Sequence, residues 1–289
     1  MPPPPDIVES CAALLERYDV LLCDIWGVLH DGRTAFAEAN VALRAFRKRG
    51  GTVILVSNAP TPADNVARVL DEKGVDREGW DAIVSSGDLA LAHIRGQGWS
   101  RLHHIGPERR DRAFFSALGG PSVVIAEAEA VACTGLVDDR RETAEDYRAR
   151  LEEAKDRQLT LVCANPDLVV HVGHELLVCA GALGALYEAI GGRVFWAGKP
   201  YPISYQTALA EAARLRSAPV KPAQVLAIGD SIRTDLAAAA GAGVDALFIA
   251  SGIHRDEAMD GGRVSTAAMP RLFPGDGPPA VAAAAALRL

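Results

Sequence analysis

No run of the chain comes near the roughly 18 apolar residues that a membrane-spanning helix needs, and prolines stand where a signal peptide would carry charge and then an apolar stretch. No two cysteines are spaced for a metal or a redox couple. The five, Cys11, Cys23, Cys133, Cys163 and Cys179, are odd in number and scattered, as in a reducing compartment. They are expected to be buried, reduced thiols, and the cytoplasm is the location these absences favour. Basic patches are also missing. Lys and Arg total 30 against 37 Asp and Glu, a formal charge of -7, so neither nucleic acid nor an anionic membrane is an expected partner. What the chain does have is core material: 49% of its 289 residues are hydrophobic, enough for one large domain or two ordinary ones.

Pro2 to Pro5 reads as a disordered or extended tail, since the context that a polyproline docking ligand needs is missing. Beyond it, apolar runs at Tyr18 to Asp24 and Thr52 to Ser57 alternate with helical patterns at Glu38 to Arg49 and Pro62 to Lys73, and strand–helix alternation implies a parallel sheet. Runs at Val194 to Ala197, Gln224 to Ile228 and Ala246 to Ala250 are expected to resume that sheet. The middle stretch has its own alternation at Leu102 to Ile105, Ser122 to Ile125, Ala130 to Val137 and Leu159 to Ala164, enough for a second α/β module. The Ala-rich segment after Pro279 is expected to be a helix, because alanine is the best helix former.

Four strand ends carry polar chemistry. The first delivers Asp24 to the carboxyl edge of a parallel sheet, where such sheets bind ligands; a turn cap is the competing reading. The second ends in Ser57-Asn58 ahead of a helix with Thr61 as cap and Pro62 at its first position, a start that attracts an anion or is simply capped. Gly198-Lys199-Pro200 holds a lysine in a stiff loop, where it neutralises charge in a site or else sits in solvent. The fourth runs into Gly229-Asp230-Ser231-Ile232-Arg233-Thr234-Asp235. Two carboxylates there suit Mg²⁺, a hard ion; helix capping by Asp230 or Ser231 is the alternative.

In this order and at these positions, the four segments resemble the motifs of the haloacid-dehalogenase superfamily. Asn165-Pro166-Asp167 followed by Gly181-Ala182-Leu183 is similar to the signature of the subclass with an α/β cap inserted after the second motif, which includes nucleotide, sugar and pyridoxal phosphate phosphatases. The resemblance implies an α/β fold with a Rossmann-like parallel-sheet core and an inserted cap: core at 1–97 and 191–289, cap at 98–190. It implies Asp24 as nucleophile, Ser57 and Asn58 as phosphate binders, Lys199 as charge clamp, and Mg²⁺ held by Asp24, Asp230, Asp235 and the main-chain carbonyl of Trp26. The substrate would be a small phosphate ester selected by the cap, with Asn165, Asp167, His171 and His174 as candidates. Caps of this subclass also carry homodimer contacts, for which Trp99, Phe114 and Phe115 are candidates if they are not cap core.

One position departs from the family. Its phosphatases carry a second aspartate two residues after the nucleophile, which protonates the leaving alcohol and then activates water. Here that residue is Trp26, whose indole has no proton to exchange near neutral pH. General acid–base catalysis is worth ~10²–10⁴-fold in rate. Three readings follow: a phosphatase that uses a surrogate such as His30 or Asp31 or needs no acid; a phosphate-ligand-binding regulatory protein with weak or no turnover; and, last, a dehalogenase-type hydrolase, since dehalogenases carry an aromatic residue at this place.

Overall fold

The computed structural model describes residues 3–172 and 175–289. Along the chain run β1 (Asp6–Val8), β2 (Val20–Cys23), β3 (Thr52–Ser57), β4 (Ala82–Ser85), β5 (Leu102–Ile105), β6 (Ala130–Cys133), β7 (Thr160–Cys163), a hairpin of β8 (Val169–Val172) and β9 (Glu175–Val178), β10 (Arg193–Trp196), β11 (Val225–Gly229), β12 (Asp245–Ile249), a short hairpin of β13 (Met259–Asp260) and β14 (Arg263–Val264), and β15 (Ala282–Ala284). Two compact units form. The first holds Met1–Ser57, Ala67–Val84 and Pro202–Leu289, the second Asn58–Val66 and Ser85–Tyr201.

The first unit is built on a seven-stranded sheet in the order β1-β15-β12-β11-β2-β3-β4. Parallel pairings join β1, β15, β12, β11, β2 and β3. The central strands are unbroken apolar runs because both faces are covered: every residue of β2 and β11 is buried. Helix Ala37–Lys48 buries Ala39, Ala42, Leu43 and Phe46, the i, i+3, i+4, i+7 stripe of a helix that covers a sheet. Register then sets the chemistry. Cys23 pairs with Ile228 on one side and with Leu55 on the other, so the strand ends bearing Asp24, Gly229-Asp230 and Ser57 lie side by side.

The Ala-rich C-terminal segment is a strand and not the expected helix. Ala282, Ala283 and Ala284 are fully buried between β12 and β1, with ladder partners on both sides. An isolated helix of fewer than ~12 residues is marginal in water, so two rows of sheet hydrogen bonds outweigh alanine's preference. The small side chains fit this crowded position.

The second unit carries a four-stranded parallel sheet in the order β10-β7-β6-β5. The run Val194 to Ala197 was expected to resume the first sheet; β10, which holds most of it, pairs instead with β7. Helix Ala180–Ala189 leads directly into it, and successive elements joined by a short connection stay neighbours. Ser122 to Ile125 is not a strand. The Ser122 hydroxyl accepts from the N–H of His104, and Val123 N–H donates to Leu102 O, so the segment covers the outer edge of β5 without building a ladder. Phe114 and Phe115 are buried and in edge-to-face contact, hence core and not dimer surface, while Trp99 is half-buried against His93. All five cysteines are buried free thiols. Among the described residues no helix is long and apolar enough to cross a membrane.

Candidate active site

Asp24 follows β2 and Asp230 follows β11, its sheet neighbour; Asp235 lies one turn further, in the helical turn Ile232–Leu236. Their carboxylates converge, with oxygens that all lie within 4.8 Å of one another, and all three residues are buried. Backbone donors aim two of them. Asp230 Oδ2 accepts the N–H of Ile253 at 2.7 Å, and Asp235 Oδ2 accepts that of Ser231 at 3.1 Å. Ser231 also caps the turn, its hydroxyl accepting from Thr234 N–H, so of the two residues offered as caps it is Ser231 that plays that part. Asp230 is enclosed by two glycines: a Cβ at Gly27 or at Gly252 would lie 2.1 and 1.9 Å from Oδ2. The loop after β12, with Gly252 and Ile253, was not singled out in the sequence, although a glycine just past a strand end was there as a signal.

Three buried oxygen donors of one charge, with no sulfur or imidazole among them, fit a hard divalent cation. Two ligands on opposite sides of Mg²⁺ stand about 4.2 Å apart, so this spread is close to a magnesium shell. Asp24, Asp230 and Asp235 are the side chains that would hold it.

The loop from Trp26 to Ala35 is tied to itself. Gly27 N–H donates to His30 O, and the Trp26 and His30 rings meet edge-on at 5.1 Å. His30 is buried, and its Nδ1 accepts the N–H of Gly32 at 2.9 Å, which leaves the neutral ring with its proton on Nε2. Burial, with Lys73 close by, pushes its pKa down to about 4. An imidazole that is neutral and already engaged at its basic nitrogen is a poor acid or base at neutral pH. Asp31 is exposed and caps the turn: Oδ1 accepts from Arg33 and Thr34 N–H, and these bonds hold its carboxyl below the usual range. Both surrogates are thus loop-builders in this geometry.

In the second unit, Asn58 and Lys199 are buried together. The Asn58 side chain is fully used: Nδ2 donates to Asp167 Oδ1 at 2.9 Å and to Lys199 O at 3.0 Å, while Oδ1 accepts from Lys199 N–H at 2.8 Å and from the Ser86 hydroxyl at 3.3 Å. An amide makes two donations and accepts about two bonds, so this side chain has no capacity left for phosphate. The start of helix Ala63–Lys73, expected to attract a phosphate, already has an anion: the N–H of Ala63 donates to the Asp88 carboxylate at 2.8 Å. Asn165 Oδ1 accepts from Asp167 N–H, an Asx turn. His171 lies on β8 opposite Leu176, and His174 falls outside the described residues. Ser57, half-buried, ends β3.

A family model described as haloacid dehalogenase-like hydrolase matches residues 21–119, and a second, HAD-hydrolase-like model matches residues 196–271. The crystal structure of a hydrolase of the haloacid dehalogenase-like family from Brucella suis 1330 is 39% identical; the match covers 97% of this chain and 100% of that one, with a TM-score of 0.84. Ribonucleotide monophosphatase NagD of Escherichia coli K12 is 25% identical over 83% of this chain and 90% of its own length. A glycerol phosphate phosphatase from Mycobacterium tuberculosis, solved in complex with magnesium, is 25% identical over 83% of this chain and 70% of that one, with a TM-score of 0.63. The fold, the strand-end carboxylates and these likenesses agree, and the chain belongs to the haloacid dehalogenase-like hydrolase family.

Proposed function

We propose that the chain is a Mg²⁺-dependent phosphomonoester hydrolase that acts on a small phosphorylated metabolite through an aspartyl-phosphate on Asp24. The convergence of Asp24, Asp230 and Asp235 carries this reading, and relatives named as phosphatases support it. A carboxylate oxygen of Asp24 attacks the phosphorus, and the bond to the ester oxygen breaks. Water then attacks the aspartyl-phosphate and releases phosphate and the carboxylate. Mg²⁺, when bound by the three aspartates and the main-chain carbonyl of Trp26, supplies charge neutralisation at the phosphoryl oxygens. By the family's pattern Lys199 would add a second positive charge, and Ser57 and Asn58 would be the phosphate binders. The other cap candidates, Asn165, His171 and His174, would select the alcohol part of the substrate.

Trp26 sets the limit. With no acid at that position, the departing alkoxide takes its proton from water, which favours esters of acidic alcohols. A second reading, a phosphate-ligand-binding protein with slow turnover, is favoured by the same tryptophan together with the engagement of His30 and Asp31 within their own loop. Carbon–halogen hydrolysis, which proceeds without a metal in this superfamily, would employ Asp24 alone and leave Asp230 and Asp235 no ion to hold.

A panel of phosphate monoesters, from an activated aryl phosphate to alkyl phosphates, assayed with Mg²⁺, tests the reading. Asp24→Asn is expected to abolish turnover, and survival of activity in it removes the nucleophile. Trp26→Asp is expected to speed alkyl esters by up to ~10²–10⁴-fold and aryl esters far less. Mg²⁺-dependent binding of a phosphate mimic without turnover in any variant favours the second reading.

A further inference from the structure

We propose that Asp167 is a positioning residue that fixes Lys199 through the Asn58 amide, rather than a residue that reads the substrate; as a statement about catalysis this rests on the phosphatase reading above. All of the contacts lie within the second unit.

Asp167 is held before it holds anything. Its N–H donates to Asn165 Oδ1 at 3.0 Å, and its carbonyl accepts the N–H of Gly181 at 3.1 Å. Gly181, in the first turn of helix Ala180–Ala189, has to be a glycine: a Cβ there would lie 2.4 Å from the carbonyl oxygens of both Pro166 and Asp167. The segments Asn165-Pro166-Asp167 and Gly181-Ala182-Leu183 therefore serve one purpose, a backbone clamp that places the Asp167 carboxylate.

That carboxylate decides which way the Asn58 amide points. An ionised carboxylate only accepts hydrogen bonds, so it draws the NH₂ end toward itself. The oxygen end then faces two donors, the N–H of Lys199 and the hydroxyl of Ser86, while the second Nδ2 hydrogen meets Lys199 O. With the amide turned over, acceptor meets acceptor at Asp167 Oδ1 and at Lys199 O, and donor meets donor at Lys199 N–H; the Ser86 hydroxyl alone can turn to suit either setting. The correctly set amide binds both main-chain polar groups of Lys199, as one strand binds its neighbour. Gly198 completes the fit, since a Cβ there would lie 2.1 Å from the Ser86 hydroxyl and 2.5 Å from Asn58 Oδ1. A lysine that is to neutralise charge in a transition state has to be fixed at its backbone, because its four-carbon stem fixes nothing.

Positioning and substrate reading have different signatures. Asp167→Ala is expected to lower kcat about tenfold, the size of one charge-assisted hydrogen bond, by a common factor for all esters of the panel, with KM moved by less than about threefold. Asp167→Asn, whose amide oxygen still accepts from Asn58, is expected to retain most of kcat. Amide hydrogen exchange at Lys199 should accelerate at least about tenfold in the alanine variant and little in the asparagine variant. A loss that varies with the alcohol, an asparagine variant as poor as alanine, or unchanged exchange at Lys199 overturns the proposal. Exchange needs no turnover, so a protein that cleaves no ester refutes the phosphatase reading while the hydrogen-bond claim is still decided. Asp167→Ser, too short to reach Asn58, replaces the alanine variant should that one not fold.

Discussion

His30 stands four residues beyond Trp26 and two before Gly32, and its ring is buried edge-on to the indole. Proximity in sequence made it a candidate acid; what the sequence does not encode legibly is the tautomer, which depends on the Gly32 N–H directed at Nδ1. Burial and the Lys73 charge, opposed by Asp31 and by a backbone hydrogen bond of His30 itself, keep the folded protein from accepting a proton that the unfolded chain accepts readily. The sign follows from linkage. With a folded pKa of about 4 and an ordinary value of 6.5, stability is whole above the ordinary value and falls as pH drops from there toward 4. Urea unfolding at about pH 4.5 should show a loss near 2.5 kcal/mol relative to neutral pH from this group, and His30→Gln should remove that part of the slope. Asp24 was legible for a different reason. A buried-strand pattern that ends in a carboxylate places that carboxylate at a sheet edge whatever the rest of the fold does.

Elements were legible where pattern and packing agree. Helix Ala37–Lys48 and strand β3 appear within a residue of where periodicity puts them, because their apolar positions are the ones the core covers. Two of the failures share a cause: β15 and β10 are defined by their neighbours, an open edge of β12 in one case and of β7 in the other, and no local pattern names a neighbour. Glycine gives a sharper test of element-level reasoning. Inside a helix, Gly→Ala ordinarily stabilises by about 0.5–1 kcal/mol. At Gly181 the added methyl would press on two carbonyl oxygens that cannot withdraw, because the Asx turn and the helix start hold them. Gly181→Ala is therefore expected to destabilise by about 1–3 kcal/mol, read from the shift in chemical denaturation midpoint, against helix propensity. By contrast, Gly241→Ala, where no atom lies within 4 Å of the added methyl, should be neutral or stabilising, which controls for propensity alone.

At the scale of the whole chain, two sheets each have their own core, but the metal-fit carboxylates belong to one of them. A ligand that binds only the native state stabilises the element it binds by an amount set by its concentration over Kd, about 2.7 kcal/mol at a hundredfold excess. Mg²⁺ should therefore slow exchange of the slowest amides in β2, β11 and β12, whose ends carry or border Asp24 and Asp230, by up to about a hundredfold at that excess. Amides of β6 and β7 should keep their rates if the second unit opens by itself, and should slow equally if both units open together, so the same titration reports on cooperativity. Asp230→Asn keeps an oxygen to accept from Ile253 N–H but removes one of three charges from the site. It should abolish most of the response at β11 while leaving exchange in Mg²⁺-free buffer close to wild type. A Mg²⁺ response that survives Asp230→Asn unchanged would place the ion elsewhere, and with it would go the charge neutralisation on which attack by Asp24 depends.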